Sequence, residues 1–265
     1  MIPLLIVLAL LLAVFLFLIF PAVPRHPQCK QLSGLRIAHR GLHNATLPEN
    51  SLAAFEAACQ AGYAIENDIH ITKDGHVVVF HDDTLQRMCG VEGSIEALTL
   101  AEVKELRLLG TAHSIPTLQE CLQLVDGRVP LLIEFKCLNV NTCNRLCNAA
   151  NAILKDYKGP YFIQSFYPFV LYWYRRNRKD VCRGQLSSGF YKEKDISKRL
   201  LGCMVFNFLA RPHFVSYEHT NKGNVFRRLC TLLGALPVGW TFRSLDEVKA
   251  AHKSFKAFIF EHFTF

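Results

Sequence analysis

From Leu35 to Phe265 the chain repeats one pattern: a short apolar run, a polar or Gly/Pro break, then a helix-forming stretch. "LRIAH" reads as a strand and "ENSLAAFEAACQAG" as the helix after it. "YAIENDIHIT" and "HVVVFHDD" read as two strand segments joined by the turn "KDG". The continuously apolar "VPLLIEFK" predicts a strand buried on both faces, followed by the helix "CNRLCNAANAILKD". Further on, "YFIQSF", "RGQLSS", "HFVSY", "ALPVGWTF" and "KAFIFE" predict strands. "PFVLYWYRRN", "NVFRRLCTLLG" and "SLDEVKAAH" predict helices between them. Parallel strands require crossovers long enough to hold a helix, so this alternation predicts a parallel α/β barrel. Thr84 to Gln119 break the rhythm and read as an insertion.

Before that pattern lies a different segment. Ile2 to Val23 carry no charged residue, and at 1.5 Å per residue they are long enough for a hydrocarbon core of ~30 Å. A cleaved signal peptide would need a positive n-region, and none precedes Ile2; Pro21 and Pro24 also flank Ala22-Val23, the poor cleavage site. The expected organisation is a transmembrane anchor over 1–23, a proline-rich linker over 24–34, and a barrel over 35–265. Arg25, Lys30 and Arg36 follow the run, so the positive-inside rule places the barrel in the cytoplasm. Removal of residues 1–23 is expected to release a soluble domain. The ten scattered cysteines form no evident disulfide framework, and Cys143 and Cys147 lack two further zinc ligands, so free thiols are expected. The net charge of +8 suits a polyanion or an anionic membrane surface. Without aromatic interleaving or a reader motif, it does not indicate nucleic-acid binding.

In a barrel of this kind chemistry gathers where strands end, and there the polar residues recur. His39 and Arg40 end the first strand; Glu66 and Asp68 lie two apart on the second, hence on one face; His81 and Asp82 follow "VVVF"; Glu134 and Lys136 end "LLIEFK". Each has an ordinary explanation alone, as a solvated end or a simple ion pair. Gathered at one rim they would be costly without a cation and an anion to compensate them. Oxygen ligands without cysteine suit Mg²⁺ or Ca²⁺. Two histidines suit paired acid–base work near neutral pH, and Arg40 and Lys136 suit phosphate.

The set "HRG…PENS", "ENDIHITKDGHVVVFHDDTL", "IEFK" and "PVGWTF" resembles the glycerophosphodiester phosphodiesterase family, over roughly Leu35 to Phe265. The resemblance implies a TIM (β/α)8 barrel with a small insertion after the second strand, here preceded by one N-terminal transmembrane helix. It implies divalent-metal-dependent hydrolysis of glycerophosphodiesters to sn-glycerol 3-phosphate and an alcohol. By position, Glu66, Asp68 and Glu134 would hold the metal and His39 and His81 would be the acid–base pair. Arg40 and Lys136 would contact phosphate, and Trp240 would wall the glycerol side. The family's "TD-x-P" loop and closing helix have no counterpart in "FIFEHFTF". The barrel base is therefore expected to be covered by residues 24–34, a partner or the membrane. Extra His and Arg in "NFLARPHFVSYEHTN" bear on the substrate. The alternatives are a phospholipase D-type enzyme on the same barrel, sphingomyelinase D-like or cleaving lysophospholipids, and a membrane-tethered binding protein with a dead site.

Overall fold

The computed structural model describes residues 2–23, 25–137, 139–190 and 193–265. Its sheet holds β1 (Arg36–Ala38), β2 (Ala64–Ile71), β3 (Val77–Val79), β4 (Leu131–Phe135), β5 (Tyr161–Ser165), β6 (Arg183–Ser187), β7 (Phe214–Glu218), β8 (Leu236–Phe242) and β9 (Ala257–Phe260). All but β3 are parallel, run in the order β1-β9-β8-β7-β6-β5-β4-β2, and close through β1–β2 pairing at Ile37↔Ala64. This is the expected eight-stranded barrel. β3 lies antiparallel on the edge of β2, as the "KDG" turn implied.

The helices are α1 (Ile2–Ile19), α2 (Cys29–Leu32), α3 (Leu52–Gln60), α4 (Gln86–Cys89), α5 (Leu100–Glu105), α6 (Leu118–Val125), α7 (Val140–Leu154), α8 (Pro168–Asn177), α9 (Ile196–Gly202), α10 (Asn207–Ala210), α11 (Val225–Leu232) and α12 (Leu245–Ala251). Local chemistry starts most of the outer helices. Ser51, Thr117, Asn139 and Ser244 accept N-cap hydrogen bonds, and Pro168 opens α8. The insertion, with α4 and α5, has a small core of its own around Phe80, Met88, Val103 and Leu108.

A strand's period of two stacks the barrel interior into layers. Ile37, Leu132, Phe162 and Phe214 form an apolar layer near the base. Two residues on, the same strands present His39, Glu134, Gln164 and Ser216. Gly184 makes room for the base layer, since a Cβ there would lie 2.0 Å from the Phe214 ring. The base is covered by α2, whose Cys29 and Leu32 are buried against this layer, so residues 25–34 do more than connect. α1 does not stand free: Ile19 is fully buried, and its carbonyl accepts from Asn207 Nδ2 (2.9 Å) and Cys230 Sγ (3.4 Å). All ten cysteines are free.

Candidate active site

The rim of the barrel opens into a cavity of about 180 Å³ lined by His39, Arg40, Glu66, His81, Glu134, Lys136 and Trp240 among others. The local turn after β1 builds one side of it. Arg40 (φ 57°) and Gly41 (φ 82°) are both left-handed. A Cβ on Gly41 would lie 2.9 Å from Ala54 C and Phe55 Cδ1, so only glycine lets the turn lie this close to α3. The turn aims the Arg40 backbone N–H at Glu66 Oε2 (3.1 Å) and its side chain at Glu49 (2.7 Å).

Glu66, Asp68 and Glu134 are buried, and one carboxylate oxygen from each lies within 4.8 Å of the others. Lys136 Nζ sits 2.5 Å from Glu134 and 3.1 Å from Asp68, while Asn50 Nδ2 donates to Asp68 Oδ2 (2.9 Å). Burial pushes Glu66 well above the usual carboxylate range, with Asp68 and Glu134 adding to it. Burial likewise raises Glu134 to about 6 despite Lys136. Burial works against ionised Asp68 too, but Lys136, His81 and Arg40 prevail and hold it below the usual range. Three mutually repelling carboxylates, with Asp68 Oδ1 lacking an aligned donor among the described residues, fit a hard divalent cation. A second acidic group, Glu49, His81 and Asp82, is instead occupied by Arg87, which bonds Glu49 at 2.7 Å and Asp82 at 2.6 Å.

Both histidines are oriented from behind. His39 Nδ1 meets Glu261 Oε2 at 2.6 Å, and His81 Nδ1 meets Asp82 Oδ1 at 2.6 Å. Burial lowers both imidazole pKa values below the ordinary one, with Glu261 and Asp68 respectively opposing it. Burial thus favours the neutral form of each ring, while the carboxylate behind it favours the imidazolium. Trp240 packs edge-on to Phe166 (5.9 Å), and its buried Nε1 has no partner among the described residues.

All eight residues singled out from sequence are thus brought together, seven lining the cavity and Asp68 directly behind it. Sequence reading missed Glu261, Asn50, Gln164 and Arg243. Glu261 follows "FIF" at a strand end as His39 follows "RIA", and Gln164 is a polar residue inside "YFIQS"; both positions were available signals. Arg211 and His213 are not at this rim. They lie at the base, where Arg211 Nη1 bonds the Phe17 and Phe20 carbonyls (2.9 and 2.7 Å) and His213 contacts His26; the segment's other histidine, His219, follows β7 and stacks on Phe242 (ring centroids 4.4 Å).

A sequence model described as the Glycerophosphoryl diester phosphodiesterase family matches residues 39–252. Among curated proteins, the probable glycerophosphodiester phosphodiesterase 2 of Mycobacterium tuberculosis is 37% identical over 124 residues, 45% of this chain and 47% of that one. Lysophospholipase D GDPD1 of Rattus norvegicus is 32% identical over 157 residues, 54% of this chain and 48% of that one. The chain spans about half the length of the curated relatives it matches. Among solved structures, an Oleispira antarctica phosphodiesterase in complex with the product sn-glycerol-3-phosphate is similar at a TM-score of 0.71. That match covers 87% of this chain and 94% of that one at 22% identity, a likeness of fold.

Proposed function

This chain belongs to the glycerophosphoryl diester phosphodiesterase family, and from that premise we propose that it hydrolyses glycerophosphodiesters to sn-glycerol 3-phosphate and an alcohol. The observation that carries the reading is the buried carboxylate trio flanked by two carboxylate-backed histidines. Glu66, Asp68 and Glu134 would hold Mg²⁺ or Ca²⁺, which when bound neutralises charge developing on the phosphate. Arg40 and Lys136 bind the phosphate oxygens, and Trp240 walls the glycerol. One imidazole takes the proton of the glycerol 2-hydroxyl as that oxygen attacks phosphorus. The other gives a proton to the departing alcohol oxygen. Water then opens the cyclic phosphate with the two roles exchanged. Holding the hydroxyl beside phosphorus supplies the advantage of proximity.

The lysophospholipid-cleaving alternative draws support from the likeness to a rat lysophospholipase D. For location, α1 is the helix long and apolar enough to cross a membrane among the described residues. With Arg25, Lys30 and Arg36 after it, the reading places the barrel on the cytoplasmic side of a single span.

The test is hydrolysis of a panel of glycerophosphodiesters by the full chain, with and without chelator. Glu66→Gln, Asp68→Asn and Glu134→Gln should each abolish most activity while keeping the melting temperature. Chelator should do so reversibly, with Mg²⁺ and Ca²⁺ compared in the add-back. Full turnover in excess chelator overturns the metal assignment.

A further inference from the structure

At the base of the barrel a cavity of about 650 Å³ opens between the end of α8, the start of β6, the loop entering β7 and residues 20–23. Five cations line it, Arg175, Arg176, Lys179, Arg183 and Arg211, and no carboxylate does. Among the described residues none of the five forms an ion pair; Asp180, nearest in sequence, is taken by Arg178 at 2.7 Å. β6 runs from Arg183 at this end to Ser187 at the rim. At 3.3 Å per residue the cavity therefore lies on the order of 13 Å or more from the catalytic mouth.

Three of the guanidiniums hold backbone. Arg175 Nη1 donates to the Phe208 and Leu209 carbonyls (2.8 and 3.0 Å), and Arg183 donates through Nε to Ala210 and through Nη2 to Arg211 (both 2.9 Å). Arg211 holds the last carbonyls of α1. Basic residues in a last helical turn, as Arg175 and Arg176 are in α8, also suit its dipole. These roles fix the forks in place but leave their charge uncancelled. Arg183 is only 5% exposed, and its Nη1 makes no hydrogen bond among the described residues. Burial lowers the pKa of Arg183 and of Arg211, and Arg175 adds to both effects, so the cations repel one another. Arg176 and Lys179 are exposed and border the same cavity without a bond to the described residues. A buried cation with no counter-charge is costly, and backbone capping explains neither the convergence of five on one cavity nor the lack of an acid there.

We propose that this cavity is a second anion site, separate from the catalytic one, which takes a ligand bearing two or more phosphate groups. Guanidinium forks match phosphate oxygens in pairs, and five cations exceed the charge of a single phosphate. A soluble polyphosphorylated molecule and a polyphosphorylated lipid headgroup present the same chemistry. Because Arg211 also grips the end of α1, an occupant ties α1, α8 and β6 together and stabilises the fold. The proposal is independent of the hydrolase reading.

The experiment uses the full chain in phosphatidylcholine nanodiscs, with chelator present so that no metal gathers phosphate at the carboxylate trio. Inorganic pyrophosphate is titrated calorimetrically and its effect on the melting temperature followed. Saturable binding and a raised melting temperature are expected. Arg176→Gln/Lys179→Gln, two exposed changes that disturb no packing, should weaken pyrophosphate about tenfold or more and leave the ligand-free melting temperature unchanged. Arg228→Gln/Lys253→Gln removes the same charge from the other basic groove, between α11 and the end of α12, and should leave the affinity as it is. Absence of saturable binding overturns the proposal. So does equal weakening in both double variants, which would trace the binding to the overall charge of +8. A second arm dopes the discs with phosphatidylinositol 4,5-bisphosphate. A rise in melting temperature that Arg176→Gln/Lys179→Gln abolishes assigns the site to a lipid headgroup; a rise with pyrophosphate alone assigns it to a soluble ligand.

Discussion

His39 and His81 each carry a carboxylate on Nδ1, which leaves both Nε2 atoms for proton transfer. His39→Ala and His81→Ala should each lower kcat by about 10²- to 10⁴-fold, and the double variant by far less than the product, since the two act as a unit. Measured single-turnover rates near wild type in either would remove that residue from the mechanism. Glu261 is a positioning residue and separable by its pH signature. Its anion favours the imidazolium of His39, and it is itself held at about 2 against the effect of burial, by His39 and Arg243. Glu261→Gln removes that support, so the His39 pKa falls further and the limb of the pH–rate profile it governs moves to more acidic pH. An unmoved limb with merely lower activity would reduce Glu261 to scaffolding.

At the scale of elements, the β1–α3 turn is the most demanding piece. Gly41→Ala places a Cβ against Ala54 and Phe55 at a left-handed φ. It should cost about 2–4 kcal/mol and pull the Arg40 amide from Glu66; thermal melts and activity should fall together. At the opposite end, the loop entering β7 holds His213 neutral, because its Nδ1 accepts the Arg183 backbone N–H (3.2 Å). Burial first, then Arg183, lowers its pKa from 6.5 to about 3. The unfolded chain therefore binds the proton first. The stabilisation is complete above pH 6.5 and is lost as pH falls toward 3. His213→Asn keeps an acceptor without the titration and should flatten the acid side of a denaturant-midpoint profile; an unchanged slope would refute the assignment.

At the scale of the molecule, α1 is both a candidate span and part of the barrel wall. Reading residues 1–23 as a detachable anchor follows from their composition, but Ile19 is fully buried and Arg211 caps the Phe17 and Phe20 carbonyls. A truncation starting at Phe15 should be soluble and keep most of the wild-type melting temperature. One starting at Pro24 should melt lower, having lost Ile19 from its seat against Asn207 and Cys230. Equal melting temperatures would show that the last turns of α1 add nothing to the fold.

The barrel is legible in the sequence because its signals are local. A continuously apolar "LLI" can be satisfied only by burial on both faces, the Ser244 cap needs nothing beyond Glu247, and Glu66 and Asp68 share a face by the pleat alone. The same pleat made His39, Glu134 and Lys136 readable as strand-end residues. Closure of the strands was needed to set Glu261 behind His39 across 222 residues. It also carried Arg211 and His213 to the base rather than the rim, and seated Ile19 of α1 against Asn207 and Cys230. Those outcomes depend on which surfaces meet when the ring closes, and on desolvation that only the closed ring imposes. Neither is written in the spacing of residues along the chain.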